Sequence, residues 1–370
     1  MTIAAGIVMS SDSRAYSDWA DVLLRLRFNY EGYFRSESVR ALHAFRIGFI
    51  TLVALLKMFW GDGWRVALVV INHLATASAG VLLVGIVRHV TGLRIAAWLS
   101  LGWYLASYDV ASWNRYVLGD STFLFLSFGV FFFAARALLT ENRAISSWIC
   151  AVVLLLIAIS YRPTGFVVAV PLICSAFFKW RLGRGHSVSV VRTLAAFALV
   201  SVMVFGAVSW IAQDPGRWPF TLMSKQARLL SVKSAAGEVV EQRPETYHRP
   251  PRRFDQYIGL YMDRLAHFFQ VTASGFSSAH NAYQLAFFVP LYAGAVAAVL
   301  SMGTKPRVCR REIVVLLSLL AILSFAVFHA FTILDFDWRY RLPVVPHLIL
   351  LASAGVALVK QRLGRPAEIN

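Results

Sequence analysis

A chain of 370 residues that is 58% hydrophobic, only 15% charged and has a mean hydropathy of +0.62 is not a water-soluble globule. Its apolar runs do not alternate with polar residues, which excludes a closed β-barrel and leaves a bundle of transmembrane helices. The net charge of +17 would suggest nucleic acid in a soluble protein. Here the basic residues fall between apolar runs, where they set orientation, so no nucleic-acid partner is expected.

In chain order, residues 1–63 come first. Met1 to Ser10 is apolar but too short to span, and reads as the end of a truncated first helix. A first outer loop follows. Residues 43–59 are predicted to form a helix lying in or dipping into the outer interface, because counting them as a span would invert every later loop. The block 64–212 then holds spans at 65–86, 93–109, 121–138, 147–160, 164–179 and 193–212, and the block 282–370 holds spans at 282–302, 313–331 and 343–359. The total is about nine spans, each able to cross about 30 Å of hydrocarbon or paired across it. Between the blocks runs a hydrophilic arm, 213–281, broken by Pro215, Pro219, Pro244, Pro250 and Pro251. In its second half Phe254, Tyr257, Ile258, Tyr261, Leu265 and Phe268 recur at helical spacing, which predicts an amphipathic helix on the membrane surface. The expected fold class is therefore all-α: a polytopic transmembrane helical bundle with interfacial helices on its outer face.

Basic residues mark alternate connections: Arg88 and Arg94; Arg136 and Arg143; Lys179, Arg181 and Arg184; Lys305, Arg307, Arg310 and Arg311; Lys360, Arg362 and Arg365. The positive-inside rule places these in the cytoplasm. Residues 11–63, the turn at 110–120, Arg162, the 213–281 arm and the turn at 332–342 then share the outer side, where they are expected to build the active face. Cys150 and Cys174 lie in apolar runs and Cys309 in a basic loop, so the fold is not expected to depend on disulfides. The sequence has no Walker or dinucleotide motif and no zinc-ligand spacing.

Three of the outer pieces carry carboxylates at a membrane boundary: Asp12 in the first loop, Asp120 at the start of the 121–138 run, and Asp335 and Asp337 in the 332–342 turn. Four motifs accompany them. An Asp-Ser-x-x-Tyr-x-x-x-Ala stretch falls on Asp12, Ser13, Tyr16 and Ala20, and a Leu-x-Asp on Leu118 and Asp120. An Arg-Pro falls on Arg162 and Pro163, and an Arg-Tyr-x-x-Pro-x-x-Pro on Arg339, Tyr340, Pro343 and Pro346. In order and spacing the set resembles the GT-C superfamily of membrane glycosyltransferases, whose members include lipid A aminoarabinose transferases and protein O-mannosyltransferases.

The resemblance implies a polyprenyl-phosphate-sugar donor, a lipid, glycan or protein acceptor, and an active face on the periplasmic or extracellular side of a bacterial cytoplasmic membrane. It makes Asp12 the general base of a one-step inverting displacement. Asp120 would orient acceptor or sugar, or simply cap its helix. Arg339 and Arg341, with Arg162, would grip the donor phosphate. Tyr340 would stack on the sugar or belong to the interfacial aromatic belt, and Lys57 would contact the lipid phosphate or snorkel to the headgroups. His329 and His347 lie nearest the outer boundary and are candidates for proton transfer. The Asp335-x-Asp337 pair admits a divalent metal without requiring one; pairing with Arg339 and Arg341 is the plainer reading. No other cofactor is implied. Two alternatives stay open on the residues alone: an O-antigen polymerase or ligase, and a polytopic transporter or lipid flippase.

Overall fold

The computed structural model describes residues 6–36, 45–140, 144–213, 254–273, 276–303, 308–332 and 338–363. The first part of the hydrophilic arm, together with Asp335 and Asp337, lies outside these residues. The described chain is built of helices: α1 (Ser11–Arg25), α2 (Tyr30–Arg35), α3 (Ile47–Trp60), α4 (Trp64–Thr91), α5 (Arg94–Leu105), α6 (Tyr108–Trp113), α7 (Asp120–Leu139), α8 (Ala144–Tyr161), α9 (Ala169–Gly183), α10 (Val190–Gln213), α11 (Phe254–Phe269), α12 (Ser278–Gly303), α13 (Arg310–Thr332) and α14 (Val345–Leu363). Short 3-10 turns join α3 to α4 (Gly61–Gly63), precede α9 (Pro163–Val168) and precede α14 (Trp338–Val344).

Seven stretches among the described residues are long and apolar enough to cross a membrane: Ile47–Thr91, Asp120–Leu139, Ala144–Tyr161, Pro163–Gly183, Ser278–Gly303, Arg310–Ala330 and Arg339–Ala357. The protein is on that ground an integral membrane protein. The short runs expected at 147–160 and 164–179 are indeed two spans, turned at Arg162. Among the described residues the candidates number seven, against the nine or so expected. Where 93–109 was read as one continuous run, α5 has 12 residues, about 18 Å of helix, and α6 follows it after a break at Ser107. The chain breaks there because the Ser107 hydroxyl accepts from the amide of Val110 and starts α6 instead. The run at 193–212 is helical as α10, but its side chains are described only to Met203, and Val190–Met203 alone is short for a span.

Two hydrophobic clusters organise the chain. The larger fills the bundle of α4, α5, α7 to α9 and α11 to α14. At its centre α13 and the α14 stretch are 78% and 83% buried, whereas α8, at 17%, is peripheral and turns most of its surface to lipid. Helices α12 and α14 touch along small residues: a Cβ on Gly355 would fall 2.1 Å from the Gly294 carbonyl oxygen, so the backbones meet only because no side chain intervenes.

The smaller cluster joins Tyr16, Ala20 and Leu23 of α1, Tyr33 of α2, and Phe49, Ile50, Val53, Ala54 and Leu56 of α3 to Trp64 and Leu68 of α4 and to Val117 and Leu118. The helix expected at 43–59 is present as α3, and it packs against α1, α4 and α8, with Met58, Phe59 and Trp60 at its end exposed. Gly119, just before α7, allows this: a Cβ there would meet the Phe49 ring at 2.9 Å. Residues 6–10, expected to end a first helix, are not helical. Val8 pairs its main chain with Arg115 (3.0 Å) and Val117 (3.1 Å), which pulls the segment along the 115–117 turn.

The helix expected on the membrane surface is α11. Its apolar residues Tyr261 and Phe268 are buried, and the helix packs on α13 and the Trp338–Val344 turn. Neighbouring helices thus cover part of the face assigned to lipid, while Ile258 and Met262 on the same helix stay exposed.

The two ends of the bundle differ in charge. At one end Gly92 lies beside Arg311, and Lys179 donates to the carbonyls of Ala137 (2.6 Å) and Thr140 (3.4 Å). Basic loops far apart in sequence share this end, as the alternation predicted. The carboxylates gather at the other.

Candidate active site

The site begins with the helix start of α1. Ser10 caps it by accepting from the Ser13 amide at 3.2 Å, while the Ser13 hydroxyl accepts from the Ser10 amide at 3.0 Å. This reciprocal cap holds the first turn, where Asp12 sits near the positive end of the helix dipole. Asp12 Oδ2 receives Arg339 Nη1 at 2.9 Å. The carboxylate is 43% exposed and the guanidinium 19%, so the pair contributes at most about 1 kcal/mol of stability and the acid stays accessible.

Arg339 also reaches Tyr340: Nη2 lies 3.4 Å from the phenol oxygen, and the guanidinium sits 5.2 Å from the ring centre. On the same ring Arg162 stands at 5.9 Å and His329 at 4.9 Å. Arg162, at the turn between α8 and the next 3-10 helix, points its Nη1 at Asp120 Oδ1 over 2.7 Å. That contact is an ion pair without an aligned hydrogen bond, since Oδ1 accepts none. Asp120 is buried, as are the Ser121 and Thr164 hydroxyl oxygens, which have no hydrogen-bond partner among the described residues. A buried polar atom without a partner is costly in a finished core, and at Asp120 it suits a place where a hydroxylic ligand docks.

Five of the residues expected from sequence thus form one chain in space: Asp12, Arg339, Tyr340, Arg162 and Asp120. Tyr16 closes it. Its ring packs edge-on to Phe49 and Trp19. Burial pushes its phenol up, with the charges of Arg46, Arg162, Asp120 and Asp12 acting on it as well, so the hydroxyl stays protonated.

Arg341 lies apart from this chain. It is 2% exposed, one of the most deeply buried large side chains. Nη1 donates to the Gln270 carbonyl at 2.6 Å, Nη2 to Asp109 at 3.4 Å, and the guanidinium lies 4.0 Å over Phe288. Asp109 also accepts from Gln284 at 3.1 Å. This knot joins α6, α12, the end of the arm and the Trp338–Val344 turn. Lys57 is also separate: its ammonium donates to the Ser17 carbonyl (3.0 Å), the Ser17 hydroxyl (2.8 Å) and Asp21 (2.7 Å), which engages all three N–H groups. His329 is buried against Phe268. His347 is buried in the bundle, with Ser318 at 3.1 Å and between Phe128 and Phe131.

Sequence reasoning passed over Asp109 and Arg46. Asp109 was signalled by being an acid at the end of an apolar run, where an ionisable residue needs a partner. Arg46 precedes α3, half-buried, with its guanidinium 5.6 Å from the Tyr16 ring centre. It has no carboxylate partner among the described residues, in contrast to Arg162, Arg339 and Arg341.

No group of three metal-ligating side chains occurs among the described residues. Asp12, Asp109 and Asp120 each face a guanidinium, a donor environment that does not fit a dication. Set against known families, curated proteins and solved structures, the chain matches none of them.

Proposed function

We propose that this protein is a membrane glycosyltransferase of the GT-C type. It would move a sugar from a polyprenyl-phosphate donor to a lipid, glycan or protein acceptor, with inversion, at the outer face of a bacterial cytoplasmic membrane. The observation that carries the reading is the continuous chain from Asp12 through Arg339, Tyr340 and Arg162 to Asp120, set at one end of a bundle of apolar helices. A donor anchored in lipid reaches such a place laterally, which accounts for the lack of any nucleotide-binding motif.

In this mechanism Asp12, the accessible carboxylate, takes the proton of the acceptor hydroxyl as its oxygen attacks the anomeric carbon. The bond from that carbon to the phosphate oxygen breaks, and the lipid phosphate leaves with a second negative charge. Arg339 orients the base, and Asp120 holds sugar or acceptor. The growing phosphate charge needs a guanidinium that is not already paired. Arg46, beside Tyr16, meets that requirement, and charge-assisted hydrogen bonds that strengthen as the phosphate becomes a dianion speed the step.

The test is transfer of labelled sugar from a polyprenyl-phosphate donor in membranes, alongside binding of undecaprenyl monophosphate to the purified protein. Asp12→Asn is expected to lower transfer at least about 100-fold while leaving lipid binding intact. Arg46→Ala is expected to weaken binding of the monophosphate about tenfold or more. A wild-type protein that binds no polyprenyl phosphate would reject the reading outright.

A further inference from the structure

At the end of the bundle remote from Asp12 and Asp120, two cavities flank the last turns of α4. One, of about 300 Å³, lies between α4 and α7 and is lined by Gly85, Ile86, His89, Phe132, Arg136, Leu139 and Thr140. The other, of about 250 Å³, lies between α4 and α5 and is lined by Val84, Arg88, Arg94, Ala97 and Trp98. Both are lined by apolar side chains together with arginine, Arg136 in the first and Arg88 and Arg94 in the second.

Three features of this end go beyond an ordinary basic loop. Arg88, Arg94 and Arg136 have no carboxylate partner among the described residues, and Glu312, the acid described at this end, accepts from the Cys309 amide. Arg136 is half-buried and lines the first cavity. The exposed Trp98, 67% accessible, stands on the lipid-facing side where an indole marks the headgroup level. The height agrees: Arg136 is 16 residues along α7 from Asp120, about 24 Å of helix, close to the thickness of the hydrocarbon core.

We propose that these two cavities form a binding site for anionic phospholipid, one phosphate facing Arg88 and Arg94 and another facing Arg136, with acyl chains running along Val84 and Ala97 on one side and Gly85 and Phe132 on the other. The arginines and the apolar lining of the cavities fit a headgroup with a tail attached. A free phosphate would gain nothing from Phe132 or Trp98. The site is independent of the chemistry at the other end, and its occupation would fix the α4, α5 and α7 ends that the sugar-transfer site rests upon.

The experiment is native mass spectrometry of the purified full chain equilibrated with equal amounts of phosphatidylglycerol and phosphatidylethanolamine. The expected result is selective retention of phosphatidylglycerol, falling about fivefold for each charge removed in Arg136→Ala and in Arg88→Ala with Arg94→Ala. Lys at the same three positions should keep the selectivity, and an excess of inorganic phosphate should leave the bound lipid in place. Equal retention of the two lipids, variants that match the wild type, loss of selectivity in the Lys variants, or displacement by inorganic phosphate would each overturn the proposal.

Discussion

Arg339 and Arg341 stand two residues apart on the same short 3-10 helix, yet their surroundings are opposites. Arg339 turns outward to a half-exposed carboxylate at the mouth of α1, and Arg341 turns inward to a buried one on α6. The 3-10 geometry, with about three residues per turn, sends neighbours that are two apart to different sides. The lesson is that a charge pair in water and a charge pair in the core do different work. In the exposed pair the ions keep much of their hydration, so the contact is weak and the carboxylate remains available for chemistry. In the buried pair the hydration is already gone, and each ion depends on the other and on the Gln270 carbonyl.

The sharpest way to break this comparison is to remove the buried guanidinium. Arg341→Ala leaves Asp109 buried with only Gln284, and is expected to cost about 3–5 kcal/mol, read as loss of folded, monodisperse protein and a lower unfolding temperature. Combining Arg341→Met with Asp109→Asn should recover most of that stability. An Arg341→Ala protein as stable as the wild type would put Arg341 with Arg339 and end the distinction.

The next effect is smaller in stability and larger in activity. Arg339→Ala should change unfolding by no more than about 1 kcal/mol while lowering sugar transfer about tenfold, because Asp12 loses the group that orients it. Arg339→Lys keeps the charge without the planar guanidinium and should recover part of the lost turnover. If instead Arg339→Ala unfolded the protein, the exposed pair would be structural.

The smallest effect extends the comparison to a neutral group. Tyr33 is as buried as Arg341, and its hydroxyl has no partner among the described residues. Burial pushes its phenol from the ordinary value up to about 12. Tyr33→Phe should therefore be neutral or slightly stabilising at pH 7. The sign with pH follows from the raised value. Wild-type stability from keeping Tyr33 neutral is full below about pH 10 and declines as pH rises from there toward 12. Equilibrium unfolding across that range should show the variant gaining on the wild type. A decline of the same size in both would remove Tyr33 as its cause.

Much of the fold was legible. The long runs of α7, α8, α12, α13 and α14, and the pairing of two short spans about Arg162, follow from apolar length, which is local and cumulative along the chain. The regions that the sequence leaves open are those where another part of the protein competes with the bilayer. Residues 43–59 and the apolar face of α11 look membrane-bound in isolation because their side chains give the same signal whether covered by lipid or by a neighbouring helix. The run at 93–109 looks continuous because a single Ser107 that stops one helix and caps the next barely changes its hydropathy. The same limit held at the site. Asp12, Asp120, Arg162, Arg339 and Tyr340 were visible as boundary residues, but Lys57 looked free only while Ser17 and Asp21 were out of view, and nothing along the chain pointed to Arg46.

What the sequence determined by itself is which segments are helices, where most of them end, and which connections share a side, because hydrophobicity, helix caps and loop charge act over a few residues and add up. What only the tertiary structure decided is the choice of partners. Arg339 and Asp12 are 327 residues apart, and Arg341 and Asp109 are 232 apart. Electrostatic pairing acts through space and has no preferred sequence separation, so no spacing rule announces which arginine meets which carboxylate, or which of the two pairs is left within reach of a substrate.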